Sequence, residues 1–277
     1  LIAQTAITID TLSEGRFVLG LGTSGPQVIE GWHGVPYSKP LGLTRDVINI
    51  CRKVWSGEKV EHEGRAYNLP LSEGEGTGLG KALRLMCKPL RQDIPIAVAA
   101  IGPKNVEMTA ELANVWQPIH FLPEKFHEVW GESLHAGKAK RASDLGELKI
   151  IAGGTVALGK GPGVESARKA VRDNVGFYVG GMGARDKNFY NDLFKRYGYE
   201  EEAASIQDLF LSGKREEAFA AVPDEYVDRA SLTGDEGHVR ERIQVYKDVG
   251  VTYLDISIPS DTENPLEVIE KVKAWAE

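Results

Sequence analysis

Two glycine-bearing turns and one histidine-bearing loop hold the residue types that could do chemistry. Gly20-Leu21-Gly22-Thr23-Ser24-Gly25 has G-x-G-x-x-G spacing after the apolar run Phe17–Leu21. With a helix starting at once, such a turn presents backbone N–H groups to a pyrophosphate. Pro26 and the segment Trp32-His33-Gly34-Val35-Pro36 are expected to interrupt that helix. No strand ending in an acidic residue follows about 20 residues on, as the dinucleotide fingerprint requires. Two readings stay open: a strand-to-loop turn that needs small residues, or a loop at the C-terminal mouth of a barrel, where backbone approaches a ligand. The second turn, Ala99-Ala100-Ile101-Gly102-Pro103-Lys104-Asn105, leads from a buried strand into a helix start. Free N–H groups and the helix dipole favour an anion there, and Lys104 adds charge. An ordinary βα turn can have the same sequence. His33 lies in the loop after the first strand, near Glu30. On the catalytic face of a barrel, His33 and Glu30 are candidate acid–base groups. The alternative is a loop histidine with a structural hydrogen bond.

Other motifs fail on their chemistry. Gly154 to Lys160 has P-loop spacing, but Gly161 stands where a hydroxyl for Mg²⁺ is needed. No G-x-S-x-G occurs, and the histidines lack ligand spacing, so no metal site is expected. His62 and His238 are expected at the surface. Cys51 and Cys87 match no redox or metal pattern, which makes a reduced cytoplasmic location the default. Cys51 is read as core on a helical face with Leu43, Val47, Ile50 and Val54. Gly180-Gly181-Met182-Gly183 is either a hinge or lid, or a helix C-terminus.

The elements that must position these residues alternate. Helical spacing at Ile2, Ala6, Ile9 and Leu12 ends at Gly15, read as a C′ residue. Strands are predicted over Phe17–Leu21, Pro95–Ile101, Val115–Phe121, Leu148–Ala157 and Val251–Pro259, with a small hairpin over Val60–Leu71 turning at Gly64. Helices lie between them, and residues 184 to 230 are helical and charged. Near-continuous apolar strands alternating with helices mean a parallel sheet covered by helices. The 277 residues show no solenoid repeat and no dividing linker. A net charge of −7 argues against nucleic acid and anionic membranes as partners, and no apolar run reaches the ~18 residues of a membrane span.

Together the segments resemble the bacterial-luciferase-like superfamily of flavin and deazaflavin oxidoreductases. The matching stretches are Leu12 to Thr23, Gly31-Trp32-His33-Gly34, Arg45, Trp55-Ser56-Gly57-Glu58, His62-Glu63-Gly64 and Ile94 to Lys104. Ser24-Gly25-Pro26-Gln27, Gly78-Leu79-Gly80-Lys81, Ala100 to Asn105 and Gly180 to Gly183 resemble its coenzyme F420-dependent branch. The resemblance implies one (β/α)8 TIM barrel domain over 1–277, with a helical insertion at about 184–232 before the last strand. The five strands would then be the fourth to eighth, which predicts a chain lacking its first three strands, about 70–90 upstream residues.

The resemblance also implies function. Gly22, Thr23 and Ser24 would line the deazaflavin. Ala99, Ala100, Ile101, Gly102 and Pro103 would cradle its phosphate, and Lys104 would help hold the acidic tail. Some family members carry a glutamate acid where Gly25 stands, so Glu30 and His33 are the substitutes here. The implied activity is hydride transfer between the C5 of coenzyme F420 and a small organic substrate. The alternatives are a reduced-FMN monooxygenase and a non-catalytic flavin-binding paralogue. A homodimer and a flavin or F420 reductase are the implied protein partners.

Overall fold

The computed structural model describes residues 1–277 and divides into two compact units. In chain order the helices are α1 (Ile2–Leu12), α2 (Pro26–His33), α3 (Pro40–Trp55), α4 (Pro103–Leu112), α5 (Phe126–Lys138), α6 (Pro162–Gly181), α7 (Phe189–Arg196), α8 (Glu200–Leu211), α9 (Arg215–Ala220), α10 (Asp224–Ala230), α11 (Glu236–Asp248) and α12 (Pro265–Ala276). The strands are β1 (Leu19–Gly22), β2 (His62–Glu63), β3 (Asn68–Leu69), β4 (Ile96–Ala99), β5 (Val115–Gln117), β6 (Lys149–Leu158), β7 (Leu232–Gly234) and β8 (Tyr253–Ser257).

The first unit comprises Leu1–Ala100, Lys104–Trp116 and Ala136–Leu148. Its centre is the parallel pair β1–β4, in register from Leu19↔Ile96 to Gly22↔Ala99. Ile96 and Val98 are fully buried. Asn114 ties the start of β5 to β4: its side chain accepts the Ile96 N–H at 3.0 Å, and its own N–H donates to the Ile96 carbonyl at 2.8 Å. Asp10, 1% exposed in α1, receives two donors from Arg91, Nη2 at 2.6 Å and Nε at 3.0 Å. A buried carboxylate needs such pairing, because an unpaired charge is expensive to bury.

Four local expectations change here. The α1 stop is a Schellman motif in which Glu14 is C′, at φ 53, and Gly15 is C″, its N–H bonding the Asp10 carbonyl at 2.9 Å. Pro26 does not interrupt a helix but starts one, occupying the first position of α2 where a missing N–H is harmless. Cys51 is buried as predicted, but it shares its face with Ile48 and Trp55, while Leu43 is 38% exposed. His62 is buried, not superficial. Its Nε2 lies 3.1 Å from the carboxylate of buried Asp46, which also accepts the N–H groups of Ala66 (2.7 Å) and Tyr67 (3.0 Å). Asp46 thus anchors the turn of the β2–β3 hairpin to α3, with Lys53 of the same helix donating to the Glu61 carbonyl beside β2. A Cβ at Gly64 would collide with that carboxylate, which explains the glycine there.

The second unit comprises Ile101–Pro103, Gln117–His135 and Lys149–Glu277. β6 is its spine, pairing in parallel with β8 (Ile151↔Tyr253 to Thr155↔Ser257) and, further along, with β7 (Val156↔Leu232 to Leu158↔Gly234). β7 is a strand that the sequence reading leaves out. The predicted strand at Val115 stops at Gln117, because Pro118 has no N–H for the ladder and His120 turns to φ 53. α6 lays Val164, Ala167, Val171 and Val175 against the core at helical spacing. The segment 184–230 forms α7 to α10. Gly180 and Gly181 end α6 tightly under the Phe210 ring, and Asn188 caps α7 while donating to the Tyr178 and Val179 carbonyls, both at 3.0 Å. That arrangement matches the helix C-terminus reading of Gly180–Gly183.

Candidate functional site

The parallel register of β1 and β4 brings Gly22 beside Ala99, so the two turns leave neighbouring strands at the same carboxyl end. Ligands of parallel α/β folds bind at that end. Thr23 and Ser24 follow Gly22, with Ser24 at φ 52 and its carbonyl accepting the Tyr37 hydroxyl at 3.2 Å. A left-handed non-glycine residue is sparsely populated and clusters at ligand-binding sites.

The turn after β4 has a definite polarity. The Ala100 carbonyl accepts the Trp116 indole N–H at 2.8 Å. The Ile101 carbonyl accepts two donors, the Trp130 indole at 3.1 Å and Arg196 Nη2 at 2.8 Å. Trp116 and Trp130 are fully buried. With both carbonyls tied to buried donors, the exposed partial charge of the turn is that of its N–H groups, reinforced by the N-terminus of α4. Pro103 has no N–H and serves to start the helix. A Cβ at Gly102 would meet nothing within 4 Å, so the protein's own packing does not require glycine there. The bare turn leaves room for a ligand.

Lys104 does not point its charge at this turn alone. Its Nζ lies 2.8 Å from Glu107, which Lys140 also reaches at 2.5 Å. The two lysines hold the Glu107 carboxyl down to about 2. Glu30 is likewise engaged: its Oε1 accepts the Tyr37 N–H at 3.0 Å. His33 sits exposed in the last turn of α2. No hydrogen bond or ion pair joins Glu30 to His33, and neither is part of a preformed relay.

The second unit holds a cavity of about 390 Å³ that the sequence reading misses. Its walls are Pro118–Phe121, Ala152–Thr155 of β6, the Ala170–Val175 face of α6, and Asp255 and Ser257 of β8. His120 is its most distinctive residue. Its carbonyl accepts the hydroxyls of Tyr197 (2.8 Å) and Tyr226 (3.3 Å), and its ring meets Tyr178 and Tyr190 edge-on. Burial pushes the imidazole down to about 4, so it is neutral at physiological pH. Trp130 connects the cavity to the turn: its indole N–H holds Ile101 while its ring stacks on Phe121 at 5.4 Å. A positive φ is invisible in a sequence unless glycine or asparagine reports it. His120 gave no such signal.

Comparison with known proteins places this arrangement. Residues 1–253 match the luciferase-like monooxygenase family, and the chain belongs to that family of oxidoreductases. It is 41% identical, over 93% of its own length and 74% of the relative's, to Rv3520c of Mycobacterium tuberculosis, a protein named as a coenzyme F420-dependent oxidoreductase. It is 29% identical to the 5,10-methylenetetrahydromethanopterin reductase of Archaeoglobus fulgidus, covering 98% of this chain and 76% of that one. Among solved structures, the coenzyme F420-dependent tetrahydromethanopterin reductase of Methanopyrus kandleri superposes with a TM-score of 0.70 at 24% identity, covering 98% of this chain and 76% of that chain. The FMN complex of a type II Baeyer-Villiger monooxygenase component from Pseudomonas putida superposes at 0.53 and 20% identity, covering 98% and 74%. The fold is that of the luciferase-like α/β barrel enzymes.

Proposed function

We propose that the chain is a coenzyme F420-dependent oxidoreductase acting on a small organic substrate, with Gly22, Thr23, Ser24 and Ala99 to Lys104 as its cofactor-binding residues. The turn at Gly102, its carbonyls tied inward and its N–H groups left outward, carries this reading in a chain 41% identical to a protein named for that cofactor. The residues fit the group: an anion-seeking turn with an empty Cβ position, following a strand that ends on the small residue Ala99.

Bound F420 would supply hydride transfer at its C5. The N–H groups of the turn and of the first turn of α4 would bind the phosphate arm. Thr23 and Ser24, the latter with its carbonyl held by the Tyr37 hydroxyl, would line the ring. The acidic tail would have to compete with Glu107 for Lys104. Glu30 is committed to Tyr37 as an acceptor, so proton donation falls to His33.

Titrating the protein separately with F420 and with FMN, and following turnover with each, tests the reading. Tight F420 binding is expected. Tight FMN binding without F420 binding would instead make it a flavin monooxygenase, and binding of neither would make it a non-catalytic relative.

A further inference from the structure

The cavity of the second unit has a wall chemistry of its own. Parallel register sets Gly153 of β6 beside Asp255 of β8, and Thr155 beside Ser257. Paired strands lie about 4.8 Å apart and positions i and i+2 about 6.6 Å apart, so these four residues make one small patch. Gly153 keeps one corner of it bare, since a Cβ there would run into the Asp255 carbonyl. Thr155, Asp255 and Ser257 line the cavity, as does Asn174 of α6, and no side chain of the four makes a hydrogen bond or an ion pair within the protein. Asp255 is the only charge in the wall at physiological pH, because burial keeps His120 and Tyr226 neutral. Lys149 of β6 lies outside the wall and donates instead to the Tyr253 hydroxyl at 3.1 Å. A carboxylate in a concave wall with no counter-ion attracts cations and repels anions. A bare metal ion is a poor fit, because no group of three or more carboxylate, histidine or cysteine ligands forms. Ile119 and Ala170 add exposed apolar surface to the same wall.

We propose that this cavity binds a small organic cation, an ammonium group carried on an apolar body. The Asp255 carboxylate accepts from the ammonium, and the Ser257 and Thr155 hydroxyls and the Asn174 side-chain carbonyl accept its remaining N–H bonds. An ammonium has three donors and no acceptor, which matches a wall whose one charged group only accepts. The apolar body lies against Ile119 and Ala170. At about 390 Å³ the cavity falls within the range of small-molecule sites, about 300–1,000 Å³. Organic carboxylates and phosphates are turned away by the same charge that draws the amine. None of this depends on which cofactor the protein uses.

Three probes of one shape separate charge from fit: benzylamine, benzyl alcohol and benzoate. Their binding to wild type, Asp255→Asn and Ala170→Phe is measured by calorimetry at neutral pH. Wild type should bind benzylamine at least about tenfold more tightly than benzyl alcohol, and should not bind benzoate. Asp255→Asn should weaken benzylamine by about 10- to 100-fold, the loss of a charge-assisted hydrogen bond, and leave benzyl alcohol unchanged. Asp255 has no partner in the fold, so this variant should melt as wild type does. Ala170→Phe should weaken both probes by filling the cavity, which ties the binding to this wall and not to another exposed carboxylate. An amine preference that survives Asp255→Asn would overturn the proposal. So would benzoate binding as well as benzylamine, an Ala170→Phe variant that binds normally, or a wild-type protein indifferent to benzylamine. Adding F420 then distinguishes two sources of the amine: consumption marks a substrate, and binding without consumption marks an effector. A protein that binds benzylamine through Asp255 but does not bind F420 would overturn the F420 reading and leave this one standing.

Discussion

Gly102 and His33 test the site one side chain at a time. Because a Cβ at Gly102 meets nothing and its φ is not in the left-handed region, Gly102→Glu should fold normally. Its carboxylate would face the ligand phosphate, so affinity for a phosphate-bearing cofactor should fall by at least about tenfold through charge repulsion, read by fluorescence titration. Unchanged affinity would remove the turn from the site. His33 is exposed and outside any hydrogen-bond network, so His33→Ala should leave the melting temperature unaltered while lowering the turnover rate by about 100-fold or more if it is the proton donor. A normal rate would return the role to Glu30 or to water. The sequence shows these two residues because each sits beside a Gly or Pro that marks a turn. Arg196 and His120 stay hidden in it: their meaning comes from Ile101 and from Tyr197 and Tyr226, contacts made across long stretches of chain.

At the scale of elements, α3 and the β2–β3 hairpin form one cooperative piece joined through Asp46. Burial works against the charge of this carboxylate, but hydrogen bonds from Ala66, Tyr67 and His62 outweigh it and hold the pKa below the ordinary aspartate value. Asp46→Ala would leave the Ala66 and Tyr67 N–H groups without their acceptor, each such loss costing about 1–3 kcal/mol. The variant should lose roughly 2–4 kcal/mol of local stability. Amide exchange at Ala66 and Tyr67 should rise with it, and Asp46→Asn should restore part of the protection. Equal protection in Asp46→Ala would show that the hairpin is held elsewhere. The hairpin itself is legible from Gly64 and its alternating flanks. Its anchor is not, because an aspartate in the middle of an amphipathic helix looks like a solvated residue until a partner from another element reaches it. The face of α3 fails for a related reason: apolar residue type selects Leu43, Val47, Ile50 and Val54, whereas packing selects Gly42, Ile48, Cys51 and Trp55. Strand β7 is three residues long, too short for periodicity to register.

For the molecule as a whole, pH is the variable that reaches several of these sites in sequence. His120 has a folded pKa near 4 against an ordinary value of 6.5, so the unfolded chain takes up its proton first as pH falls. Stability contributed by the neutral ring is complete above about pH 6.5 and is lost between there and about 4, a change worth roughly 3 kcal/mol. The carboxylates of Asp46, Glu111 and Asp224 have the same sign of pH dependence from a different cause, since there it is the charged form that the fold favours. Hydrogen bonds and cations lower their pKa values, so their contribution is intact above the ordinary carboxylate range and disappears only as pH falls below it. Acid unfolding should therefore have two limbs, a histidine limb first and a carboxylate limb below it. His120→Asn separates them: asparagine tolerates the positive φ, its backbone carbonyl can still accept Tyr197 and Tyr226, and it has no proton to gain in this range. Urea unfolding of this variant at a series of pH values should show a flat profile from 6.5 to 4, followed by the same acid limb as wild type. A variant that retains the upper limb would place its origin in another titrating group and show that the His120 ring reaches solvent in the folded protein.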